Sequence, residues 1–299
     1  GFHMIDPGLA RALQDKACTR YPEQSKKDRD AAGLLVISYP KSGRTWHRVM
    51  IGVYLTKHLG LPVKRAFQMG GLCRPAGIGN IIYSHNGANF GDCLPPDHEL
   101  VASPDLWRGK RVILLVRDPK DVVVSSYFHA SYRDGLFNGP ISEFVRDPRL
   151  GIEKILTAYN RWHENQQFAE EVDVLHYEAL HREAEDSLIR SLRMAGIEQP
   201  DAQLVAETIE ICRFENMQQQ EKENFYNHFR LSTTVSDPRA QKVREGVVGG
   251  YRKHLSKDDI AFIDQEVARL GNPFANPDDD RDERSGMLAT LWRTLRKAP

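Results

Sequence analysis

Residues 34–46 read LLVISYPKSGRTW. The first five residues predict a short buried strand, and the turn behind them leads into a helix predicted over roughly 44–59. The turn offers backbone N–H groups, two hydroxyls and a lysine at a helix N-terminus, a combination that suits a bound phosphate or sulfate. An ordinary strand-to-helix turn, with Ser42 or Thr45 capping the helix, would explain the same residues taken alone.

The turn differs from the phosphate loop of nucleotide triphosphatases, which reads GxxxxGK[ST]. In that loop the lysine follows the second of two spaced glycines and directly precedes the hydroxyl residue. Here Lys41 precedes Gly43, the one glycine of the turn. The sequence therefore does not predict Mg²⁺-dependent triphosphate chemistry, and we expect no metal site.

Two more apolar runs, RVILLV (111–116) and VDVLHY (172–177), also predict buried strands. Each is followed by a polar turn and a predicted helix, over roughly 119–132 and 181–195. Apolar strands that alternate with helices indicate an α/β fold in which helices cover both faces of a central parallel sheet. Ligands bind such sheets at the carboxyl ends of the strands, so we expect the site where LLVIS and RVILLV end.

The second strand runs into RDPKDVVVSSYFH (117–129). Arg117 stands at the carboxyl end of the strand, and Ser125 lies about two turns into the predicted helix. An arginine fork and a hydroxyl that face the crevice of Lys41 suit a phosphate monoester. If this motif stood alone, a salt bridge between Arg117 and a neighbouring aspartate would be the simpler interpretation.

Composition excludes several classes of function. The 299 residues include 41 Lys and Arg and 41 Asp and Glu, so a net charge of +0 provides no overall field for nucleic acid or an anionic membrane. Apolar runs are far shorter than the roughly 20 residues that a membrane-spanning helix needs. The beginning of the sequence resembles no signal peptide, so we expect a cytoplasmic protein. The four cysteines form no CxxC pair, which argues against a disulfide framework or a cysteine zinc site.

We expect one domain over residues 31–275. An N-terminal segment, 1–30, precedes it, and residues 1–3 of this segment look like a cloning remnant. The composition turns acidic at NPDDDRDERSG, which predicts a linker within 276–299. A short amphipathic helix is predicted behind that linker from apolar residues at helical spacing, namely Met287, Leu288, Leu291, Trp292 and Leu295.

YPKSGRTW and RDPKDVVVSSYFH resemble the two donor-binding signatures of the cytosolic-type sulfotransferase family, YPKSGTTW and RNPKDVAVSYYHF. They occur in the family's order, each at a strand–helix junction, and the resemblance covers about residues 34–270. The resemblance is to a bacterial member of the family, and it implies a P-loop-like sulfotransferase fold. The family uses 3′-phosphoadenosine 5′-phosphosulfate (PAPS) as sulfuryl donor, so the resemblance implies an enzyme that sulfates a small molecule.

The resemblance also assigns donor-binding roles to individual residues. These residues are Lys41, Ser42, Gly43, Arg44, Thr45, Trp46, Arg117, Ser125, Tyr177, Phe214, Arg244 and Gly246. The loop that begins at Lys41 would hold the 5′-phosphosulfate, and Arg117 and Ser125 would hold the 3′-phosphate. Trp46, Tyr177 and Phe214 would lie near the adenine.

The C-terminal motif departs from the family pattern RKGxxGDWKNxF. Residues 244–255 read REGVVGGYRKHL, so Glu245 replaces a phosphate-facing lysine. Gly250 and Tyr251 replace an Asp-Trp pair. We expect Glu245 to point outward, because its charge would repel a phosphate. The family's dimer signature is not legible beyond this motif, so the oligomeric state is not predicted.

Sulfuryl transfer by in-line displacement needs a cation at the leaving oxygen and a base at the attacking group. Lys41 is the candidate cation. The family's histidine in a KTHLP segment corresponds to the histidine of IIYSHNG (81–87), which makes His85 the predicted base. An unperturbed imidazole, with a pKa of about 6.5, is able to accept a proton at neutral pH. His98 and Asp92 remain alternative bases.

The predicted acceptor is a hydroxyl or amine of a small molecule. Residues 70–91 include six glycines, which we interpret as an acceptor loop; a flexible surface insertion is the alternative.

Two other functions stay open. One is a Mg²⁺-dependent nucleotide kinase, and the other is a nucleotide-binding protein without catalysis.

Overall fold

The computed structural model of the chain describes residues 31–226, 237–240 and 247–276. Its strands are β1 (Ala32–Ser38), β2 (Asn80–Ser84), β3 (Arg111–Val116) and β4 (Glu171–His176). They form one parallel sheet in the order β2-β1-β3-β4. The predicted α/β fold is thus confirmed. The third predicted strand ends one residue early, because Tyr177 already begins a helix.

The helices of the described residues are α1 (Arg44–His58), α2 (Met69–Cys73), α3 (Pro119–Phe128), α4 (Ile141–Arg146), α5 (Ile152–Asn165), α6 (Tyr177–Arg182), α7 (Ala184–Met194), α8 (Ala202–Ile211), α9 (Phe214–Lys222) and α10 (Lys257–Leu270). Short 3₁₀ turns lie at Val63–Arg65, Phe90–Asp92, Pro104–Leu106, Gln166–Phe168, Pro238–Ala240 and Gly250–Lys253. A π turn, His129–Arg133, follows α3, so the helix predicted over 119–132 changes its hydrogen-bonding pattern at its end. The helix predicted over 181–195 consists of two helices, α6 and α7.

Both faces of the sheet are covered by helices. Successive side chains of a strand point to opposite faces, and every residue from Leu34 to Ile37 is buried. Leu34 and Val36 belong to one core together with residues of α1 and α7. Leu35 and Ile37 belong to a second core together with residues of α3 and α5. This two-sided burial explains why residues 34–37 are all apolar rather than alternating. No described helix has the length and apolarity that a membrane crossing requires.

The register of the sheet brings three strand ends together. Ile37 of β1 pairs with Ser84 of β2 on one side and with Leu114 of β3 on the other. The carboxyl ends of the three parallel strands therefore meet at one edge of the sheet. β2 lies on one side of β1, and β3 and β4 lie on the other, so the strand order reverses at β1. At such a switch point α/β folds bind ligands beside the carboxyl ends of the strands.

The ends of the chain lie mostly outside the described residues. Phe274 packs against the rings of Tyr159 at 5.6 Å and His163 at 5.8 Å, next to α5. The predicted segment 1–30 lies outside the described residues, as do the acidic linker and C-terminal helix beyond residue 276. The predicted domain limits, 31 and 275, stay predictions.

Candidate functional site

The turn between β1 and α1 has an unusual backbone. Lys41 and Gly43 both have a left-handed conformation, with φ of 72° and 93°. Gly43 is the N-cap of α1 and makes no side-chain capping hydrogen bond. The interpretation that Ser42 or Thr45 caps the helix is therefore wrong. Lys41 stands in the turn that leads into the N-terminus of α1, and helix N-termini favour anions.

Gly43 is packed tightly against α6. A Cβ atom at this position would lie 2.8 Å from Cδ2 of Tyr177 and 3.2 Å from Cδ1 of Leu180. Tyr177 is buried, so its ring has little room to move away. Glycine is thus required here for its conformation and for its size, and the contact fixes the turn against Tyr177.

We expect Gly43→Ala to destabilise the fold by about 1–3 kcal/mol, from left-handed strain plus the clash with Tyr177. Chemical denaturation measures this change in unfolding free energy. Gly77→Ala is a matched control, because Gly77 has a φ of 75° with nothing within 4 Å of the added Cβ. Equal losses in the two variants would show that the contact with Tyr177 contributes nothing.

Arg117 connects the end of β3 to the turn after β1. Its Nη1 donates to the backbone oxygen of Lys41 at 2.9 Å, and its guanidinium lies 4.0 Å from the centre of the Tyr177 ring. The hydroxyl of Tyr159 holds the backbone of Arg117, accepting from its N–H at 3.1 Å and donating to its carbonyl at 2.8 Å. Nε of Arg117 is buried and makes no hydrogen bond within the described residues. A buried guanidinium nitrogen without a partner suits an anionic ligand.

Of the other polar residues predicted for the two phosphate groups, Ser42 is buried in the turn before Gly43, and the rest lie at the start of α1 and along α3. Arg44 and Thr45 are half-buried at the start of α1. Asp118 caps α3 by accepting from the N–H of Lys120 at 2.8 Å, so the helix begins directly behind Arg117. Ser125 is half-buried in the second turn of this helix.

The aromatic residues predicted for the adenine form one cluster. Trp46 meets the edge of Tyr177 with ring centres 6.2 Å apart, and its Nε1 donates to the backbone oxygen of Cys212 at 2.7 Å. Phe214 joins the cluster through His181, at 6.4 Å. Residues from α1, α6 and α9 thus meet in one place.

Sequence reasoning missed His181. Its ring lies 4.6 Å from that of Trp46 and 4.7 Å from that of Tyr177. Burial, together with the charge of Arg117, lowers the pKa of His181 to about 4, so the ring is neutral at physiological pH. The four-residue spacing from Tyr177 on α6, which places both side chains on one helix face, was the available signal.

His85 lies directly behind β2, beside the end of β1. Its Nδ1 lies 2.7 Å from the backbone oxygen of Ser38. A carbonyl oxygen only accepts, so Nδ1 carries a proton and Nε2 is the basic nitrogen of the neutral ring. The contact holds the imidazole against Ser38, which stands three residues before Lys41 in the chain. The assignment of His85 as base stays a prediction.

The alternative bases make different contacts. Nδ1 of His98 accepts the N–H of Leu100 at 3.1 Å, which closes a surface turn. Asp92 ends the 3₁₀ turn Phe90–Asp92, and its charge acts on Lys154, a buried residue of α5. Neither contact tests the roles of these residues, so His98 and Asp92 stay alternative predictions.

The charges around Lys41 come from distant parts of the chain. Burial, and then the charge of Arg133, lowers the pKa of Lys41 to about 8, whereas Glu221 opposes this shift. Arg117 lowers the pKa further, and Asp134 raises it. Nη1 of Arg133 lies 3.6 Å from Oε1 of Glu221, a buried residue of α9. No sequence motif indicated this group.

Tyr83, which stands where the family pattern has lysine, belongs to a buried network instead. Ser191 Oγ donates to the backbone oxygen of Ser187 at 2.8 Å, so it accepts from Nε2 of His47 at 2.9 Å. Nδ1 of His47 then accepts from the Tyr83 hydroxyl at 3.0 Å. Burial, with the charge of Arg48, lowers the pKa of His47 to about 3, so the network is uncharged. Tyr83 thus acts in packing between β2 and helices α1 and α7.

The glycine-rich stretch 70–91 is more regular than a flexible insertion. It contains most of α2, all of β2 and the beginning of the turn Phe90–Asp92. At Gly87, with a φ of 75°, an added Cβ would lie 1.8 Å from the backbone oxygen of Leu100. The stretch is therefore not an irregular loop throughout, and its role toward an acceptor stays a prediction.

The C-terminal motif is described only in part. Arg244, Glu245 and Gly246 lie outside the described residues. Behind them, the N–H groups of Gly249 and Tyr251 donate to the carboxylate of Asp121 on α3, at 2.8 and 3.0 Å. This part of the motif therefore lies against the helix that carries Ser125.

Comparison with known proteins identifies a matching family and similar chains. The sulfotransferase domain family matches residues 99–270. Human sulfotransferase 4A1 is 38% identical over 112 residues, which cover 35% of this chain and 38% of that protein. Mouse sulfotransferase 4A1 is 37% identical over 116 residues, which cover 36% of this chain and 39% of that protein. The matched segment thus spans about two fifths of the length of these relatives.

A solved structure resembles the whole described architecture. The crystal structure of mouse sulfotransferase SULT7A1 complexed with PAP has a TM-score of 0.56 to this chain and covers 94% of both chains. The sequence identity is 17%, so this likeness shows a common fold.

Proposed function

Because the chain belongs to the sulfotransferase family, we propose that it transfers a sulfuryl group from PAPS to a hydroxyl or amine of a small molecule. One observation carries this proposal. The turn of Lys41, the guanidinium of Arg117 and the ring of Tyr177 meet at one edge of the sheet, although they come from three separate parts of the sequence.

The groups at this edge fit a nucleotide with two anionic ends and a flat base. The N-terminus of α1 and the Lys41 ammonium suit the 5′ end. Arg117 has a buried Nε that makes no hydrogen bond to the described part of the chain, and Ser125 lies on the helix behind it, which suits the 3′-phosphate. The cluster of Trp46, Tyr177 and Phe214 suits the base, since aromatic rings pack favourably against one another.

When bound, PAPS supplies the sulfuryl group and a nucleotide phosphate as leaving group. Lys41 would then hold its ammonium at the oxygen on which negative charge develops. A fixed cation in a partly buried site stabilises such charge more strongly than water does. Arg117 holds the backbone from which this side chain extends, because its Nη1 donates to the backbone oxygen of Lys41.

His85 would take the proton of the attacking group. The Ser38 carbonyl keeps the proton of the neutral ring on Nδ1, so Nε2 is the atom that accepts. Because Ser38 is the last residue of β1, the same strand end orients His85 and begins the turn of Lys41. A base and a cation held by one strand end suit transfer between two bound molecules.

The direct test is binding of 3′-phosphoadenosine 5′-phosphate (PAP). We expect Arg117→Ala to raise the Kd for PAP about 10- to 100-fold, because charge-assisted hydrogen bonds to a phosphate are lost. Arg117→Lys should also bind weakly, since an ammonium cannot form the planar fork. Isothermal titration calorimetry measures both without any acceptor.

Arg108→Ala serves as the matched control. Its guanidinium also stacks on an aromatic ring, 4.6 Å from the centre of Phe168, but at an exposed position outside the site. We expect PAP binding to be unchanged in this variant. An unchanged Kd in Arg117→Ala, or a wild-type chain that does not bind PAP, would refute the donor assignment.

Transfer itself is tested with ³⁵S-labelled PAPS and panels of alcohols, phenols, sugars and amines. Mg²⁺-dependent ATP turnover would instead support the kinase alternative. A chain that binds PAP yet transfers to no acceptor would support a nucleotide-binding protein without catalysis.

A further inference from the structure

Asp121 is a buried carboxylate whose two oxygens both accept backbone N–H groups of a distant turn. It lies on α3 and is 3% exposed. Its Oδ2 accepts from the N–H of Gly249 at 2.8 Å, and its Oδ1 accepts from the N–H of Tyr251 at 3.0 Å. Hydrogen bonds to an ionised acceptor are about twice as strong as neutral ones, so the pair forms a firm anchor.

The anchor lies next to a predicted phosphate ligand. Asp121 stands four residues after Arg117 and four before Ser125. Side chains four residues apart on a helix are neighbours, so the carboxylate lies one helical turn from Ser125. The segment that Asp121 holds follows shortly in sequence after Arg244 and Gly246, two further predicted donor ligands.

The turn is also held through Tyr251. Its ring is 4% exposed and packs in the core that includes α3 and α5. The guanidinium of Arg252 lies 4.6 Å from the ring centre, and Nζ of Lys120 lies 5.5 Å from it. Tyr251, which stands where the family pattern has tryptophan, is thus buried against α3. The altered motif still forms an ordered connection to the helix of Ser125.

We propose that Asp121 is a positioning residue that holds the Gly249–Tyr251 turn beside Ser125 and so couples this turn to the 3′-phosphate of the donor. The inference rests on the proposed function, because it concerns the phosphate that distinguishes PAP from 5′-AMP. Asp121 acts through backbone N–H groups of the turn and not through a contact with the nucleotide.

Replacing Asp121 by asparagine tests the coupling. The amide retains one acceptor oxygen, but its NH₂ group faces a backbone donor, so one buried N–H loses its partner. We expect the Kd for PAP to rise about tenfold or more, as the loss of one hydrogen bond to a charged group predicts. The Kd for 5′-AMP, which lacks the 3′-phosphate, should change less than twofold. Calorimetry or competition with a fluorescent nucleotide measures the ratio.

Asp264→Asn is the matched control. The Asp264 carboxylate pairs with Nζ of Lys120 at 2.9 Å, so it neighbours the same turn of α3 without contributing to the anchor. We expect wild-type affinity for both nucleotides in this variant. Thermal unfolding of both variants shows how far each one perturbs the fold.

Hydrogen exchange in the wild-type chain gives a second test that does not depend on the variant folding. We expect PAP to slow the amide exchange of Gly249 and Tyr251 at least threefold, and 5′-AMP to leave it unchanged. A PAP to 5′-AMP affinity ratio equal to wild type in Asp121→Asn, or exchange that PAP does not alter, overturns the inference alone. A wild-type chain that does not bind PAP overturns the proposed function and this inference with it.

Discussion

Replacing His85 by asparagine should lower the rate of sulfuryl transfer about 10²- to 10⁴-fold, the range expected when a general base is removed. The asparagine NH₂ group is able to keep the hydrogen bond that Nδ1 of His85 makes to the Ser38 carbonyl at 2.7 Å. The side chain no longer offers a basic nitrogen in place of Nε2. The structure around β1 should therefore persist while proton transfer is lost. Turnover of ³⁵S-labelled PAPS with any acceptor that the wild-type chain accepts gives the rate.

Two further measurements separate the loss of a base from other effects. Titration with PAP should give the wild-type Kd in His85→Asn, because no donor group has been removed. His98→Asn is the control for the alternative base, since the His98 ring accepts the N–H of Leu100 in its own surface turn. Unchanged turnover in His85→Asn, or an equal loss in His98→Asn, would show that another residue takes the proton.

Lys41 should impose a fall in kcat/KM for the donor as the pH rises through about 8, because burial and the charge of Arg133 lower its pKa to about that value. The sign follows from the protonation state. Below this pH the ammonium is charged and stabilises the leaving oxygen, and above it the neutral amine does not. Since kcat/KM reports the free enzyme, bound nucleotide does not shift this fall. Lys41→Met should reduce kcat about 10²- to 10³-fold at every pH.

Two substitutions assign the pH dependence to Lys41. Lys41→Arg keeps a charge that no accessible pH removes, so the fall should disappear even if the maximal rate is lower. Glu221→Gln should move the fall to lower pH, because the charge of Glu221 raises the pKa of Lys41 against the effects of Arg133 and Arg117. A fall near pH 8 that persists in Lys41→Arg would identify a different titrating group.

Several features of the site were predictable because they are local in sequence. An apolar run followed by a small-residue turn and an amphipathic pattern specifies strand, turn and helix within about 25 residues. β3 therefore agrees with its prediction residue for residue, and α1 agrees to within one residue at its end. The motif of Arg117 was legible for the same reason, since Pro119 and the Asp118 cap both mark the start of α3.

Helix limits near the site were less predictable. The pattern beyond β4 predicted a helix from about 181, whereas α6 already begins at Tyr177. An aromatic residue at the junction of a strand and a helix is compatible with either element. Here the packing of Tyr177 beneath Gly43 and Arg117 decides between them.

The sequence by itself determined the parallel sheet, the two motifs at its strand ends and the neutrality that excludes binding of polyanions by bulk attraction. Only the tertiary structure decided which side chains meet there. Arg117 reaches the carbonyl of Lys41 across 76 positions, and Asp121 reaches Gly249 across 128. Arg133 and Glu221 come together beside Lys41, and no sequence motif predicted this contact. Hydrophobic periodicity and turn chemistry depend on residues that are close together in the chain, so they are recognisable in the sequence. Contacts between residues so far apart in sequence depend on how helices pack on the two faces of the sheet, and that packing is a property of the folded chain.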